Sequence, residues 1–589
     1  MLSKNNSSVL VVFKNELPKK NEKWWRHLNI VIGPKKLRKK IEDAKIQFVD
    51  IEKFTDPGSV RQASRLADNL SRLVVSDGRR LPKIITYCGY ELWWIHHNHL
   101  MHRFCLPYTQ YRQLLEYLKT FSKVYLYQAP SFSLFQYFLT VHDSKCIIVS
   151  ESKGSYHRFK KLFPIPPGIL VQVILSAPFL LRLKFTRPKL MVWTSDRFTP
   201  PHRCDFRMIH IYEELRKRKI SFVEFIRSQE DLITILQHAF LRKRPVIYSG
   251  AIISFLYYLG SYFGKEKKGE LMKLCLSKEA DRQKKFWFLV ATHYLGNFTG
   301  TIWSIKAMKF ILQWIGIKAA IIISPDSRTF HKIVGCKLAG IKTVGILHGV
   351  PQYFSISDFM PGFDGKLPLT QNMYGLWSDW WRDYYISHGQ AFQPAQLYVS
   401  GFMRPLEREI VEKKDAKVKK KLPKVLFVLE QLAAPEEIMP YLLTLLGAED
   451  ISVFVKFRSY RDGFENWLKE NQPDILEKVR ILRGDIHDAI SQCDVVVGSH
   501  STAVLEALLQ LKPPIFFQTA KWEDHFDMKS LGTQYCLFAE NPKELINCIR
   551  KSAQVPEEVL KQLQNKFFGN PHQNGSKWVV DQAEKFLQA

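Results

Sequence analysis

The stretch Asp494-Val-Val-Val-Gly-Ser-His-Ser-Thr-Ala-Val-Leu-Glu-Ala-Leu-Leu-Gln-Leu-Lys-Pro-Pro-Ile-Phe-Phe517 decides the fold. Val495–Gly498 is a short apolar run of β-branched residues, the pattern of a strand covered on both faces. A Gly/Ser turn follows, then a helical stretch, then a second apolar strand, Ile515–Phe517. Such a βαβ unit sets its turn and helix N-terminus at the carboxyl edge of a parallel sheet. The first backbone N–H groups of the helix lack partners there, and the helix dipole favours an anion. Ser499, Ser501 and Thr502 occupy the cap, and Glu506 lies one turn further on. The layout suits a sugar nucleotide, with cap groups for phosphate and a carboxylate for ribose hydroxyls. A purely structural strand, cap and helix would carry the same residues, so the decision needs a second motif.

That motif is Ala339-Gly-Ile-Lys-Thr-Val-Gly-Ile-Leu-His-Gly-Val-Pro-Gln352. A strand runs directly into His348-Gly349. Glycine lets the backbone turn tightly, so the imidazole is expected to project from the carboxyl end of a sheet. A titratable ring in that place donates to a phosphate or takes a proton near neutral pH; a histidine capping a turn is the plainer alternative. Just upstream, Ile321-Ile-Ile-Ser-Pro-Asp-Ser-Arg328 is another strand-to-helix junction. Asp326 there is either a catalytic carboxylate or an N-cap. Lys456 and Arg458, with Arg461, end a later strand and are candidates for a diphosphate. Gly401 and Arg404 lie in a turn between two blocks. His96, His99 and His102 recur every three residues, but no carboxylate or cysteine pattern completes a metal set, and none is expected.

The rest of the chain organises around these motifs. Residues 1–185 alternate strands and helices as an α/β layer of their own. A second α/β block spans 186–405, a basic linker 406–424, and a third α/β block 425–589. The expected class is therefore α/β, two Rossmann-like lobes facing a cleft plus an N-terminal α/β domain. With 589 residues and 46% hydrophobic content, two or three cored domains fit. The formal charge of +30 calls for an anionic counterpart. Nucleic acid is not the expected partner, because the aromatic–basic interleaving of a single-strand binder is missing. Nine scattered cysteines without a C-x-x-C pair, and no signal-peptide pattern, suggest a reducing cytoplasmic setting with mostly buried thiols. The apolar run 167–182 is shorter than the ~20 residues of a span, is interrupted by Pro178, and has basic flanks. It reads either as an interfacial segment on an anionic leaflet or as a buried helical hairpin.

Together the pieces resemble bacterial surface-carbohydrate and capsule-polysaccharide biosynthesis proteins with the two-lobed glycosyltransferase fold called GT-B. That group includes transferases for Kdo and sialic acid and the CDP-glycerol glycerophosphotransferases. The resemblance rests on residues 339–350, on the turn 401–405, and on Gly498-Ser-His-Ser-Thr-Ala-Val-Leu-Glu-Ala507 with the following Lys512-Pro-Pro-Ile. It implies a His-Gly loop facing the cleft, and a donor site at His348, Ser499, Ser501, Thr502 and Glu506. Many relatives carry Lys-x-His-Pro where this chain has Lys456-Phe-Arg-Ser, and Gly-x-Pro-Arg where it has Gly401-Phe-Met-Arg-Pro. The function so implied is a glycosyltransferase that needs no metal or resident cofactor. It moves a sugar from a nucleotide sugar to a glycan or lipid-linked acceptor, peripheral on the inner face of the plasma membrane. The alternatives are a sugar-nucleotide 2-epimerase, or a non-catalytic nucleotide- or nucleic-acid-binding protein.

Overall fold

The computed structural model describes residues 8–14, 16–18, 25, 27–54, 59–129, 146–151, 165–186, 188–196, 198–199, 203–228, 230–242, 246–264, 269–271, 273–274, 281–295, 298–325, 329–350, 359–404, 406, 422–429, 433–458, 463–519, 526, 528–529 and 535–589. Three parallel sheets carry the chain. The last runs, edge to edge, Arg480–Ile481, Ser452–Lys456, Lys424–Val428, Val495–Gly498, Pro514–Phe517 and Phe538–Ala539. In chain order this is third, second, first, fourth, fifth, sixth, the doubly wound Rossmann order. The middle sheet repeats it with a seventh strand added: Val246–Ile247, Phe222–Arg227, Leu190–Ser195, Ala319–Ile322, Lys342–Ile346, Met373–Leu376 and Leu397–Val399. Every pairing in both is parallel. The architecture is thus GT-B in kind, two Rossmann lobes in tandem.

The N-terminal block is a third sheet of the same type. Gln47–Asp50, Ile30–Gly33, Ser8–Val12, Lys123–Ala129 and Cys146–Glu151 are ordered third, second, first, fourth, fifth. Its helix Leu92–Leu100 is wedged against the middle lobe. Trp94 packs edge-on to Phe363, and the Tyr294 hydroxyl donates to the carbonyl of His96.

Several sequence expectations need correction. Pro178 does not interrupt the apolar run; Pro167–Thr186 is one helix of 20 residues. Pro178 lies on its exposed side, where the carbonyl left without a helix partner meets solvent rather than a sealed core. The last helix, Gly575–Gln588, needs no correction: it packs back on the middle sheet, an earlier domain, as the sequence allows. Its Val579, Val580 and Ala583 join Leu190, Ile321 and Ile346 in one core, and Arg218 holds Asp581 (2.6 Å) and Glu584 (2.8 Å). Among the cysteines, 105, 204, 336 and 493 are buried free thiols, but Cys536 and Cys548 are bonded to each other. Those two meet only because the helix Pro542–Ser552 folds back on the strand Phe538–Ala539.

Candidate functional site

A Rossmann sheet leaves a crevice between its first and fourth strands, where the crossovers turn to opposite faces. In the middle lobe those strands are Leu190–Ser195 and Ala319–Ile322, and five polar side chains gather at their carboxyl ends. His348 Nδ1 lies 3.0 Å from the Ser324 hydroxyl. Its Nε2 faces the Arg207 guanidinium at 3.4 Å. Arginine can only donate, so Nε2 carries the lone pair and Nδ1 the proton, a neutral tautomer assigned from the partners. Arg207 is itself fixed. Asp205 takes two hydrogen bonds from it, at 3.0 and 2.6 Å, and Ser195 accepts another at 3.1 Å. Asp205 is fully buried and also accepts the Arg207 backbone N–H at 3.1 Å. Asp196, next after Ser195, is held by Arg242 (2.5 Å) and faces His238 (3.2 Å). Both carboxylates at this corner are therefore neutralised. What remains turned to the crevice is a half-buried imidazole whose Nε2 accepts from a rigid cation.

Sequence reasoning missed Ser195, Asp205, Arg207 and Ser324. No local spacing links them to His348; strand adjacency alone brings them together. Asp326 lies outside the described residues.

The other lobe meets this group directly. The backbone N–H of Val350 donates to the Thr502 hydroxyl at 2.9 Å, and a Cβ on Gly349 would stand 3.4 Å from the same oxygen. Thr502 follows the fourth strand of the last sheet, so the carboxyl edges of the two sheets meet here. Ser501 caps as expected, its hydroxyl accepting the Ala503 N–H at 3.3 Å. Ser499 is buried beneath the turn. The helix is shorter than the apolar spacing suggests. Thr502–Leu505 is one α-turn, and Glu506–Gln510 continues as a tighter 3-10 turn that ends with Leu511 at φ +50°. The run of aligned peptide dipoles is correspondingly short.

Glu506 is placed otherwise than the sugar-nucleotide layout requires. Its side chain is fully buried, with one oxygen bonded by Arg404 and the other 3.0 Å from His487 Nε2. Burial works against a charge on His487, but the hydrogen bond and attraction of Glu506 outweigh it, and its pKa lies above the ordinary histidine value. The carboxylate expected to reach ribose is instead an inter-lobe lock, because Arg404 enters from the end of the middle lobe. The turn that delivers Arg404 depends on Gly401. Its φ is +83°, and a Cβ would lie 2.4 Å from the Gln573 carbonyl.

Lys456 also turns inward. It is buried and its Nζ donates to the Gly484 carbonyl at 2.7 Å, with its pKa lowered chiefly by burial. Arg458, two residues on, is half-buried at the carboxyl end of the same strand, and Arg461 lies outside the described residues. The three histidines of the N-terminal domain diverge. His96 faces Thr301 and the ring of His331 in the middle lobe, while His99 and His102 are exposed.

Comparison with known proteins gives no family match, and no curated protein matches the chain. Solved structures do align. A UDP co-structure of MnaA from S. aureus superposes with a TM-score of 0.40 and 11% identity, covering 68% of this chain and 97% of that one. A UDP-N-acetylglucosamine 2-epimerase gives a TM-score of 0.38 and 13% identity, covering 67% and 95%. MurG of Acinetobacter baumannii gives 0.37 and 12%, covering 68% and 100%.

Proposed function

We propose that the chain is a glycosyltransferase that takes a nucleotide sugar on its last lobe and transfers the sugar to an acceptor hydroxyl held by the middle lobe. The observation that carries this reading is the meeting of His348-Gly349-Val350 with Thr502, which sets a proton acceptor of one lobe against the capping turn of the other. For transfer, His348 Nε2 exchanges its Arg207 hydrogen bond for one from the acceptor hydroxyl, whose proton it then receives as that oxygen attacks the sugar carbon. Arg207, locked by Asp205 and Ser195, is the fixed cation towards which the departing nucleotide phosphate carries its charge. Ser501, Thr502 and Arg458 hold the donor on the far side. No resident cofactor is needed for this chemistry, and a side-chain cation takes the part a divalent ion plays elsewhere.

An epimerase acting on the same donors must remove and return a proton on the sugar, and needs carboxylates free to do so. Among the described residues of the site, Asp205, Asp196 and Glu506 are each engaged by arginine. That favours transfer. The family resemblance of the His-Gly and Ser/Thr motifs points to a surface glycan or its lipid-linked precursor as acceptor.

The test is a thermal-shift screen against CMP, CDP, UDP and GDP sugars, followed by product analysis with and without acceptor. Stabilisation by one donor, lost in Thr502→Ala, with turnover only when acceptor is present, is the expected result. Conversion of the donor to an epimer without acceptor, or no stabilisation by any donor, overturns the reading. Chelation with EDTA is expected to leave turnover unchanged.

A further inference from the structure

The helix Pro167–Thr186 is apolar on both sides: inward, Leu183 is buried and Val173, Phe179 and Leu180 pack on the core. The residues it turns to the protein also include Gln172 and Ser176, spaced one turn apart, and both are buried. The Ser176 hydroxyl donates to the Gln172 carbonyl at 2.8 Å and accepts the Tyr248 N–H at 2.9 Å. The residues it turns outward are apolar: Ile174 is 60% exposed, Leu181 63% and Phe185 85%. A helix on a water-facing flank is apolar inside and polar outside. This one is patterned for an apolar medium on its outer side.

Its neighbours continue the same face. The helices Ser249–Phe263 and Phe298–Ile315 pack beside it and against each other. They cross at glycines, where a Cβ on Gly260 would lie 2.5 Å from the Gly300 Cα, so the backbones touch and the large side chains point away. Phe263 (65% exposed) leans on Trp303, and Phe310 (63% exposed) on Trp314; positions 303, 310 and 314 share one side of their helix. Trp314 in turn lies under the Lys184 ammonium, 4.4 Å from the ring centre, which joins this helix to the first.

The charge on the surface has one sign. None of the three helices contains an aspartate or glutamate, and their charged residues are Arg182, Lys184, Lys306 and Lys309. Exposed aromatic and aliphatic side chains set among lysine and arginine, with no acid, complement the headgroup region of an anionic bilayer. An interface with a second copy of the chain would set these cations against one another. The helix Pro167–Thr186 is long and apolar enough by composition to cross a membrane, but its buried Gln172 and Ser176 side is committed to the middle lobe. A helix so committed fits along a bilayer surface rather than across it.

We propose that the face formed by the helices Pro167–Thr186, Ser249–Phe263 and Phe298–Ile315 docks on an anionic lipid bilayer, its aromatic and aliphatic side chains entering the headgroup layer and its lysines and arginines meeting lipid phosphates. The inference does not rest on the transferase reading.

The experiment is vesicle flotation of the full chain, with no sugar nucleotide present. Vesicles of phosphatidylcholine alone are compared with vesicles containing phosphatidylglycerol. The chain floats with the second kind and much less with the first. Phe185→Ser with Phe310→Ser lowers the bound fraction about tenfold or more, because two exposed rings no longer leave water. Their exposure leaves the melting transition in place, and Ile174→Ser with Leu181→Ser is an independent pair should the first not fold. Arg182→Glu with Lys309→Glu removes the preference for phosphatidylglycerol. The proposal is overturned if the wild type stays with the soluble fraction on both kinds of vesicle, or if both serine pairs float as well as wild type. It is overturned too if sedimentation shows a dimer that the serine pairs dissolve while vesicle binding is absent.

Discussion

The N–H of Val350 and the hydroxyl of Thr502, 152 residues apart, form a 2.9 Å hydrogen bond that joins the carboxyl edges of two Rossmann sheets. The bond is partly shielded, so its loss is felt. Thr502→Val keeps the shape and removes the acceptor, and is expected to cost about 1 kcal/mol of stability. Thr502→Ser restores the bond. Denaturant unfolding reads the cost, and the rate of proteolytic cleavage between the lobes is expected to rise in the valine variant alone. Equal behaviour of the valine and serine variants would deny the contact any part in holding the lobes.

Glu506→Gln tests whether the buried carboxylate locks the lobes or binds the donor. Removing its charge leaves Arg404 and His487 without a counter-charge. The expected loss is up to about 3 kcal/mol, reduced because Arg404 is partly exposed. The His487 pKa is expected to fall from its raised position, which an NMR titration reads directly. A residue that only bound ribose would leave both unchanged and weaken donor affinity alone.

How much of this was readable beforehand depends on distance along the chain. The strand Val495–Gly498, the cap at Ser501 and the strand running into His348 are local patterns, and the apolar runs announce them. The environment of His348 is not local. Asp205 and Arg207 follow the first strand of the middle sheet, Ser324 the fourth and His348 the fifth, and only the sheet order makes them neighbours. Glu506 reads as a cleft carboxylate by its spacing from the cap, yet Arg404, 102 residues earlier, draws it inward. Lys456 likewise answers to the Gly484 carbonyl, which no strand-end pattern displays.

His348→Gln keeps a hydrogen-bonding side chain but removes the proton acceptor. Turnover is expected to fall by about two to four orders of magnitude, with donor affinity little changed. Ser324→Ala acts through His348 by freeing its Nδ1–H, and a loss of about tenfold is expected, with the pH–rate profile displaced. If Ser324→Ala lowered donor affinity and left that profile in place, its role would be structural. Steady-state kinetics across pH with the donor identified by thermal shift separates the two.

Histidines at the junction of the N-terminal and middle domains make stability depend on pH. Burial pushes His97 down to about 4, burial and the repulsion of His99 push His96 down to about 3, and burial with the neighbouring His96 and Lys332 pushes His331 well below its ordinary value. Each is neutral when folded and takes a proton when unfolded below about pH 6.5. In that range the unfolded chain binds more protons, so stability falls as the pH drops from about 6.5 towards 4. His487 has its pKa raised, so its contribution is fully present below its unfolded value and does not offset the loss. The melting temperature is expected to decline steeply over this interval. His331→Asn, which has no ring to protonate, is expected to flatten the decline. A melting temperature level between pH 6.5 and 4 would mean that water reaches these rings in the folded chain and that the two domains are not sealed there.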